Sequence, residues 1–211
     1  MTKTLLIASS NPGKLREFEA ILGVLPVRLL MPWHIGLDLT VVEDGKTYSE
    51  NAAKKALAYA KAAGMLSLAD DSGLEVDALS GAPGLHSARY AGVLGATDAD
   101  RRQLLLQNLA GLPRPWTARF RCVVAVAAPG GELVHGEGVC PGEIIPEERG
   151  SGGFGYDPVF FIQEYGKTMA ELPAEVKNRI SHRGRAAAAV LPQLERILDR
   201  FTGDIRAGEN E

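Results

Sequence analysis

Residues 117–128 constrain the fold more tightly than any other segment. The run begins in alternation, with Ala118, Phe120 and Cys122 set against Thr117, Arg119 and Arg121, and then turns apolar on both faces up to Ala128. Alternation marks a strand with one wet face; an uninterrupted aliphatic run marks a strand covered on both. The segment therefore enters a covered sheet. Gly130-Gly131 follows as a turn, and residues 132–139 pair back as a hairpin.

The rest of the chain supplies strands and helices together, an α/β pattern. Thr4 to Ala8 reads as a short buried strand. Ser9-Ser10-Asn11-Pro12-Gly13-Lys14 follows, then an amphipathic helix with Leu15, Phe18, Ile21 and Leu22 on one face. Asn11 is placed to cap it and Pro12 suits its first position. A strand is expected at 27–30 and an extended segment at 41–45. Thr47-Tyr48-Ser49-Glu50 matches a capping box and opens a helix to about Ala63, ended by Gly64. The next strand is expected to end at Asp71, with a second extended piece at 74–79. Thr97-Asp98-Ala99-Asp100 is another capping box, ahead of a leucine-rich helix. A short strand is expected at 159–162. The last helix should run from about Ser181 to Phe201, kinked by Pro192. Residues 203–211 are expected to be disordered.

Composition narrows the class. At 211 residues, 45% hydrophobic and 23% charged, the chain fits one sizeable domain, with room for two lobes. A net charge of -3 argues against bulk nucleic-acid binding, though not against a local phosphate site. Cys122 and Cys140 lie far apart and the four histidines are scattered, which gives no zinc pattern. The N-terminus does not read as a signal peptide, and no apolar run is long enough to span a bilayer. A cytoplasmic protein with reduced thiols is the expectation.

Four segments can carry chemistry. Ser9 to Lys14 leads a strand into a helix N-terminus, where free N–H groups, the dipole and the Lys14 charge attract anions. It lacks the glycine and Lys-Ser/Thr pair of a Walker loop. Leu68-Ala69-Asp70-Asp71-Ser72-Gly73 places two carboxylates at an expected strand end, at the sheet rim where ligands sit. Crowded carboxylates call for a cation or proton between them, and hard oxygen ligands suit magnesium. Glu43 is a further candidate ligand; Glu50 is accounted for by its capping box. The bland alternative is a turn. In Gly152-Gly153-Phe154-Gly155-Tyr156-Asp157-Pro158, glycines leave aromatic faces open to a flat base. Finally, Ser181 can cap the last helix, which puts His182 and Arg183 in its first turn, with Lys177 shortly before. Cations there oppose the helix dipole, a cost that a bound anion or carbonyl oxygen would offset. Gly84 to Tyr90 could form a second loop near the ligand.

Taken together, Ser-Ser-Asn-Pro-Gly-Lys, Ala-Asp-Asp-Ser-Gly-Leu, Gly-Ala-Pro-Gly, Ser-Ala-Arg-Tyr, Gly-Gly-Phe-Gly-Tyr-Asp-Pro and Ile-Ser-His-Arg-Gly stand in the order of the inosine/xanthosine triphosphate pyrophosphatase family, which the chain resembles from residue 4 to about 200. The resemblance implies a long mixed sheet flanked by helices, with two lobes and a nucleotide cleft between them, spanning residues 1–202. It implies a magnesium-dependent homodimer that hydrolyses ITP, dITP and XTP to the monophosphate and pyrophosphate. By position, Ser9, Ser10, Asn11, Pro12, Gly13 and Lys14 would hold phosphates and sugar. Asp71 would be catalytic and a metal ligand, with Glu43 as second ligand and Ser72 touching substrate. Phe154, Gly155, Tyr156, Asp157, Lys177, His182 and Arg183 would form the base pocket, whose donors favour a 6-carbonyl over a 6-amino group. Whether Asp70 or Asp71 deprotonates the attacking water stays open, since a metal-bound carboxylate is a poor base. A pyrophosphatase of other base preference and a non-catalytic nucleotide sensor remain the alternatives.

Overall fold

The covered strand, Trp116–Ala127, is the central strand of a seven-stranded sheet, flanked on one side by Ser67–Val76, Lys3–Ile7 and Val27–Leu30 and on the other by Leu133–Ile144, Phe160–Ile162 and Lys167–Thr168, in that order outward. A computed structural model describes residues 3–201; the tail expected to be disordered lies outside the described residues. The strands are β1 (Lys3–Ile7), β2 (Val27–Leu30), β3 (Ser67–Val76), β4 (Trp116–Ala127), β5 (Leu133–Ile144), β6 (Phe160–Ile162) and β7 (Lys167–Thr168). The helices are α1 (Pro12–Leu22), α2 (Tyr48–Ala63), α3 (Asp98–Leu109), α4 (Ala174–Ile180) and α5 (His182–Arg200). β1 runs parallel to β2 and β3, and every later pairing is antiparallel, so the sheet is mixed.

Helices cover both faces of the sheet where β4 turns apolar. On one face, Ala52, Ala56 and Ala60 of α2 lie against Ala69, Val123 and Ala125. On the other, α1 and α5 bury Phe18, Leu22, Ala187 and Val190 against Leu68, Val124 and Val126. α5 comes close to β5 because Gly136 and Gly138 face it. A Cβ on Gly138 would stand 2.2 Å from the His182 carbonyl oxygen. A third core, around Leu105, Trp116, Phe120 and Phe160, fills the far end of the sheet beneath α3.

Local chemistry sets the element ends. Asn11 Oδ1 accepts from Gly13 N at 2.8 Å, with Pro12 at the first helical position. The box at Thr97 and Asp100 forms in full. The box at Thr47 forms by half: Thr47 accepts from Glu50 N, but Glu50 reaches the N–H of Lys46 instead. Pro192 does not end α5. Pro192 and Ala188, whose carbonyl loses its partner, are both exposed, so water can serve that oxygen.

Two expectations are corrected. The strand does not end at Asp71, and Ser72-Gly73 is no break. β3 continues to Val76 because β4 pairs with it at every residue from Ser67 to Val76. Gly73 is there for space: a Cβ would lie 2.2 Å from the Gly84 carbonyl oxygen and 2.7 Å from the Tyr48 hydroxyl. Residues 77–79 form a 3-10 turn, not more strand.

Candidate active site

Adjacent residues of a strand point to opposite faces. Asp70 and Asp71, lying inside β3, therefore turn to opposite faces of the sheet and do not crowd together at a strand end, contrary to what their adjacency suggests, though the Lys14 and Lys55 charges act on both. Asp70 turns toward α1 and α5. Its Oδ1 meets Lys14 Nζ at 2.8 Å, and its Oδ2 accepts from Arg183 Nη2 at 2.8 Å and Nε at 3.1 Å. Burial alone would raise its pKa, but Lys14 and Arg183 outweigh that and hold the carboxyl far below the usual range. Asp70 is thus a fixed charge with its lone pairs engaged.

Asp71 turns toward α2, where Asn51 Nδ2 donates to its Oδ2 at 3.0 Å. Burial pushes its pKa up; the Lys55 charge and the Asn51 bond pull it down, and the Glu43 charge pushes it up. Asn51 and Lys55 sit on the buried face of α2, one turn apart. Lys55 Nζ reaches Glu43 Oε2 at 3.2 Å.

Glu43 and Lys55 line the middle of a cleft, and Asp71 lines its narrow arm. One arm, of about 230 Å³, runs past Ser72 to Phe154, Tyr156, Lys177 and His182. The other, of about 770 Å³, opens past Ser9, Ser10 and Trp33. Asn11, Lys14, Glu43, Lys55 and Ala88 border both arms. Asp70, Pro12 and Gly13 border neither: Asp70 lies behind the wall, Pro12 starts the helix, and Gly13 leaves room for the Phe154 ring, which a Cβ would touch at 3.4 Å.

The narrow arm is a packed polar network. Glu17, on the buried side of α1, takes Lys177 Nζ at 2.8 Å and is paired with Arg183. Lys177 also meets Asp157 Oδ2 at 2.6 Å. The donors of Lys177 and Arg183 are therefore largely committed to Asp70, Glu17 and Asp157. Lys177 lies 5.0 Å and Arg183 5.6 Å from the Phe154 ring centroid, in cation–π range. His182 stacks on Phe120 at 4.6 Å, and its Nδ1 is buried with no partner. Burial, then the Arg183 charge, holds the ring well below its ordinary pKa, so the imidazole is neutral.

The sequence reading passed over Glu17, Asn51 and Lys55. All three sit on helix faces otherwise given to the core. The signal was there: Asn51 and Lys55 interrupt the stripe of Ala52, Ala56 and Ala60, and Glu17 follows Lys14 by one turn. The loop at Gly84 to Tyr90 acts through Ser87, whose Oγ accepts from Leu74 N at 2.9 Å and whose carbonyl accepts from Tyr156 Oη at 2.9 Å. It ties β3 to the aromatic loop.

Comparison with known proteins agrees over most of the chain. The model of the Ham1 family matches residues 5–193. A dITP/XTP pyrophosphatase of Geobacter sulfurreducens is 50% identical over 90% of this chain and 96% of its own. One of Desulfotalea psychrophila is 46% identical over 94% of this chain and 88% of its own. Among solved structures, the Staphylococcus aureus Ham1 protein superposes with a TM-score of 0.80 at 40% identity, covering 92% of this chain and 99% of that one.

Proposed function

The chain belongs to the Ham1 family, and from that premise we propose that it hydrolyses non-standard purine nucleoside triphosphates, ITP, dITP and XTP, to the nucleoside monophosphate and pyrophosphate. The observation that carries this reading is the position of Asp71. It is a carboxyl with a raised pKa in the narrow arm, between the aromatic-glycine loop and the Lys14, Glu43 and Lys55 side chains that border both arms.

In this reading the open arm takes the triphosphate. Lys14 and Lys55 meet its charge, with Ser9, Ser10 and Asn11 on the same border. The narrow arm takes the base between Phe154 and the Lys177–His182–Arg183 group. The neutral His182 and the remaining N–H groups of Lys177 and Arg183 meet a 6-carbonyl and leave a 6-amino group facing donors. Asp71 orients a water toward the α-phosphorus and takes its proton. Asp70 is unsuited to that duty because its oxygens are held by Lys14 and Arg183; its part is to fix those two cations.

Magnesium fits the residues present. Glu43 and Asp71 are hard oxygen donors on one wall, and the Glu43 charge raises the Asp71 pKa, a strain that a cation relieves. Among the described residues no three His, Cys, Asp or Glu gather into a cage. That suits an ion held by one or two carboxylates plus substrate phosphates. When bound, it would neutralise charge on the departing pyrophosphate. Asn51 and Ser72 N each occupy one lone pair of Asp71, which leaves one on each oxygen for the ion and the water, and Glu43 and the phosphates would carry the larger share of the ion so that Asp71 keeps its basicity. A homodimer acting on free nucleotides in the cytoplasm completes the proposal; no helix of the described residues is long and apolar enough to cross a membrane.

The test is hydrolysis of ITP in ¹⁸O-water. The proposal expects the label in the monophosphate alone. Label in pyrophosphate, or release of orthophosphate, would place the attack at another phosphorus and overturn it.

A further inference from the structure

One residue at the centre of the aromatic loop has no side chain to anchor it. Gly155 stands between Phe154 and Tyr156 at a φ of +63°, and a Cβ there would meet nothing within 4 Å. With no packing of its own, its placement depends on its backbone bonds. Both go to the first turns of α3: Gly155 N donates to Asp98 Oδ2 at 2.8 Å, and Arg102 Nη1 donates to the Gly155 carbonyl at 2.8 Å. These two bonds hold the peptide planes on either side of Gly155, and act on Phe154 and Tyr156 together with the bonds from Phe154 N to Asp157 Oδ2 and from Tyr156 Oη to the Ser87 carbonyl.

The two side chains are themselves held. Asp98 is paired with Arg101, whose Nη1 also donates to the carbonyls of Ala88 and Ala96. Arg102 makes two bonds to Glu148, at 2.8 and 2.9 Å. The helix whose Asp98 and Arg101 border the narrow arm thus also clamps the aromatic loop, through Asp98 and through Arg102, which lies outside that lining. We infer that Asp98 and Arg102 are positioning residues for base selectivity, acting through Gly155. The inference deepens the proposed function and rests on it, because it takes the arm at Phe154 as the base site.

The test compares Asp98→Ala, Asp98→Asn and Asp100→Ala in the full chain, reading KM and kcat for ITP and ATP. Asp98→Ala frees the loop. KM for ITP should rise about tenfold with kcat within about threefold, and the ITP:ATP ratio of kcat/KM should shrink by about tenfold. Asp98→Asn keeps an acceptor for Gly155 N and should recover most of that ratio. Asp100→Ala removes a cap of the same helix, the bonds to Thr97 N and Oγ, and touches no part of the loop. It should lower the melting temperature and leave the ratio unchanged. An unchanged ratio in Asp98→Ala overturns the inference alone, as does an equal loss in Asp100→Ala, which would make helix stability the cause. Absence of any ITP preference in the unaltered protein overturns the proposed function and this inference together.

Discussion

Asp70→Asn and Asp71→Asn make the same chemical change at neighbouring positions and should fail in opposite ways. The Asp70 side chain is 1% exposed and takes Lys14 and the Nε–Nη2 edge of Arg183. Neutralising it leaves the Arg183 charge buried with Glu17 as its remaining acid partner. Breaking a buried pair costs about 3–5 kcal/mol. Glu17 and the amide oxygen of Asn soften the loss, which puts Asp70→Asn near the lower end. For a chain of this size that lowers Tm by about 6–12 °C, at roughly 2–4 °C per kcal/mol. Asp71 differs because burial already disfavours its charged form. Asp71→Asn removes a charge that costs stability and keeps an oxygen for Asn51, so Tm should hold or rise. Turnover should instead fall by at least about a hundredfold, the scale of a positioned acid–base group. Calorimetric melting of both variants and pyrophosphate release from ITP, measured well below the lower Tm, separate the two effects. A stable Asp70→Asn protein, or an Asp71→Asn protein that turns over at the parent rate, would refute the division of labour across the sheet.

Other perturbations read out single contacts. Gly73→Ala drives a Cβ into the Gly84 carbonyl oxygen at 2.2 Å, and backbone cannot yield as a side chain does; chemical denaturation should show a loss of more than about 2 kcal/mol. Lys14→Ala should weaken triphosphate binding by about ten- to a hundredfold and leave the bare nucleoside little changed, as calorimetry would show; equal losses would remove Lys14 from the phosphate arm. His182 carries a pH signature. Its folded pKa lies well below 6.5, so as pH falls below 6.5 the unfolded chain gains a proton that the folded one refuses. Stability should therefore be full above that pH and decline below it by up to about 1.4 kcal/mol per pH unit. In His182→Gln that part of the slope should vanish in denaturant titrations between pH 6.5 and 5.

Much of this was legible because local chemistry and tertiary packing agree. Asn11-Pro12 starts α1 where a cap and a proline should, and the shift in β4 from alternation to solid aliphatic marks where the helices begin to cover the sheet. The reading failed where spacing alone cannot speak. Ser72-Gly73 has turn composition, yet β4 holds it in register and Gly84 claims the space a side chain would need. The seven residues of α4 follow Pro173 but are too few to show a period. Lys177 and Arg183 read as free donors because their acids come from elsewhere: Glu17 from α1, Asp70 from β3, Asp157 from the aromatic loop. Sequence gives the charges, and only the fold pairs them.

The central claim is that the cleft selects a triphosphate by the edge of its purine. Steady-state pyrophosphate release from ITP, XTP, dITP, GTP and ATP, side by side with magnesium, tests it most directly. The account predicts kcat/KM for ITP, XTP and dITP at least about a hundredfold above ATP, with GTP, which shares the 6-carbonyl, in between. ATP hydrolysed within about threefold of ITP, or no pyrophosphate released from any of the five, would contradict it.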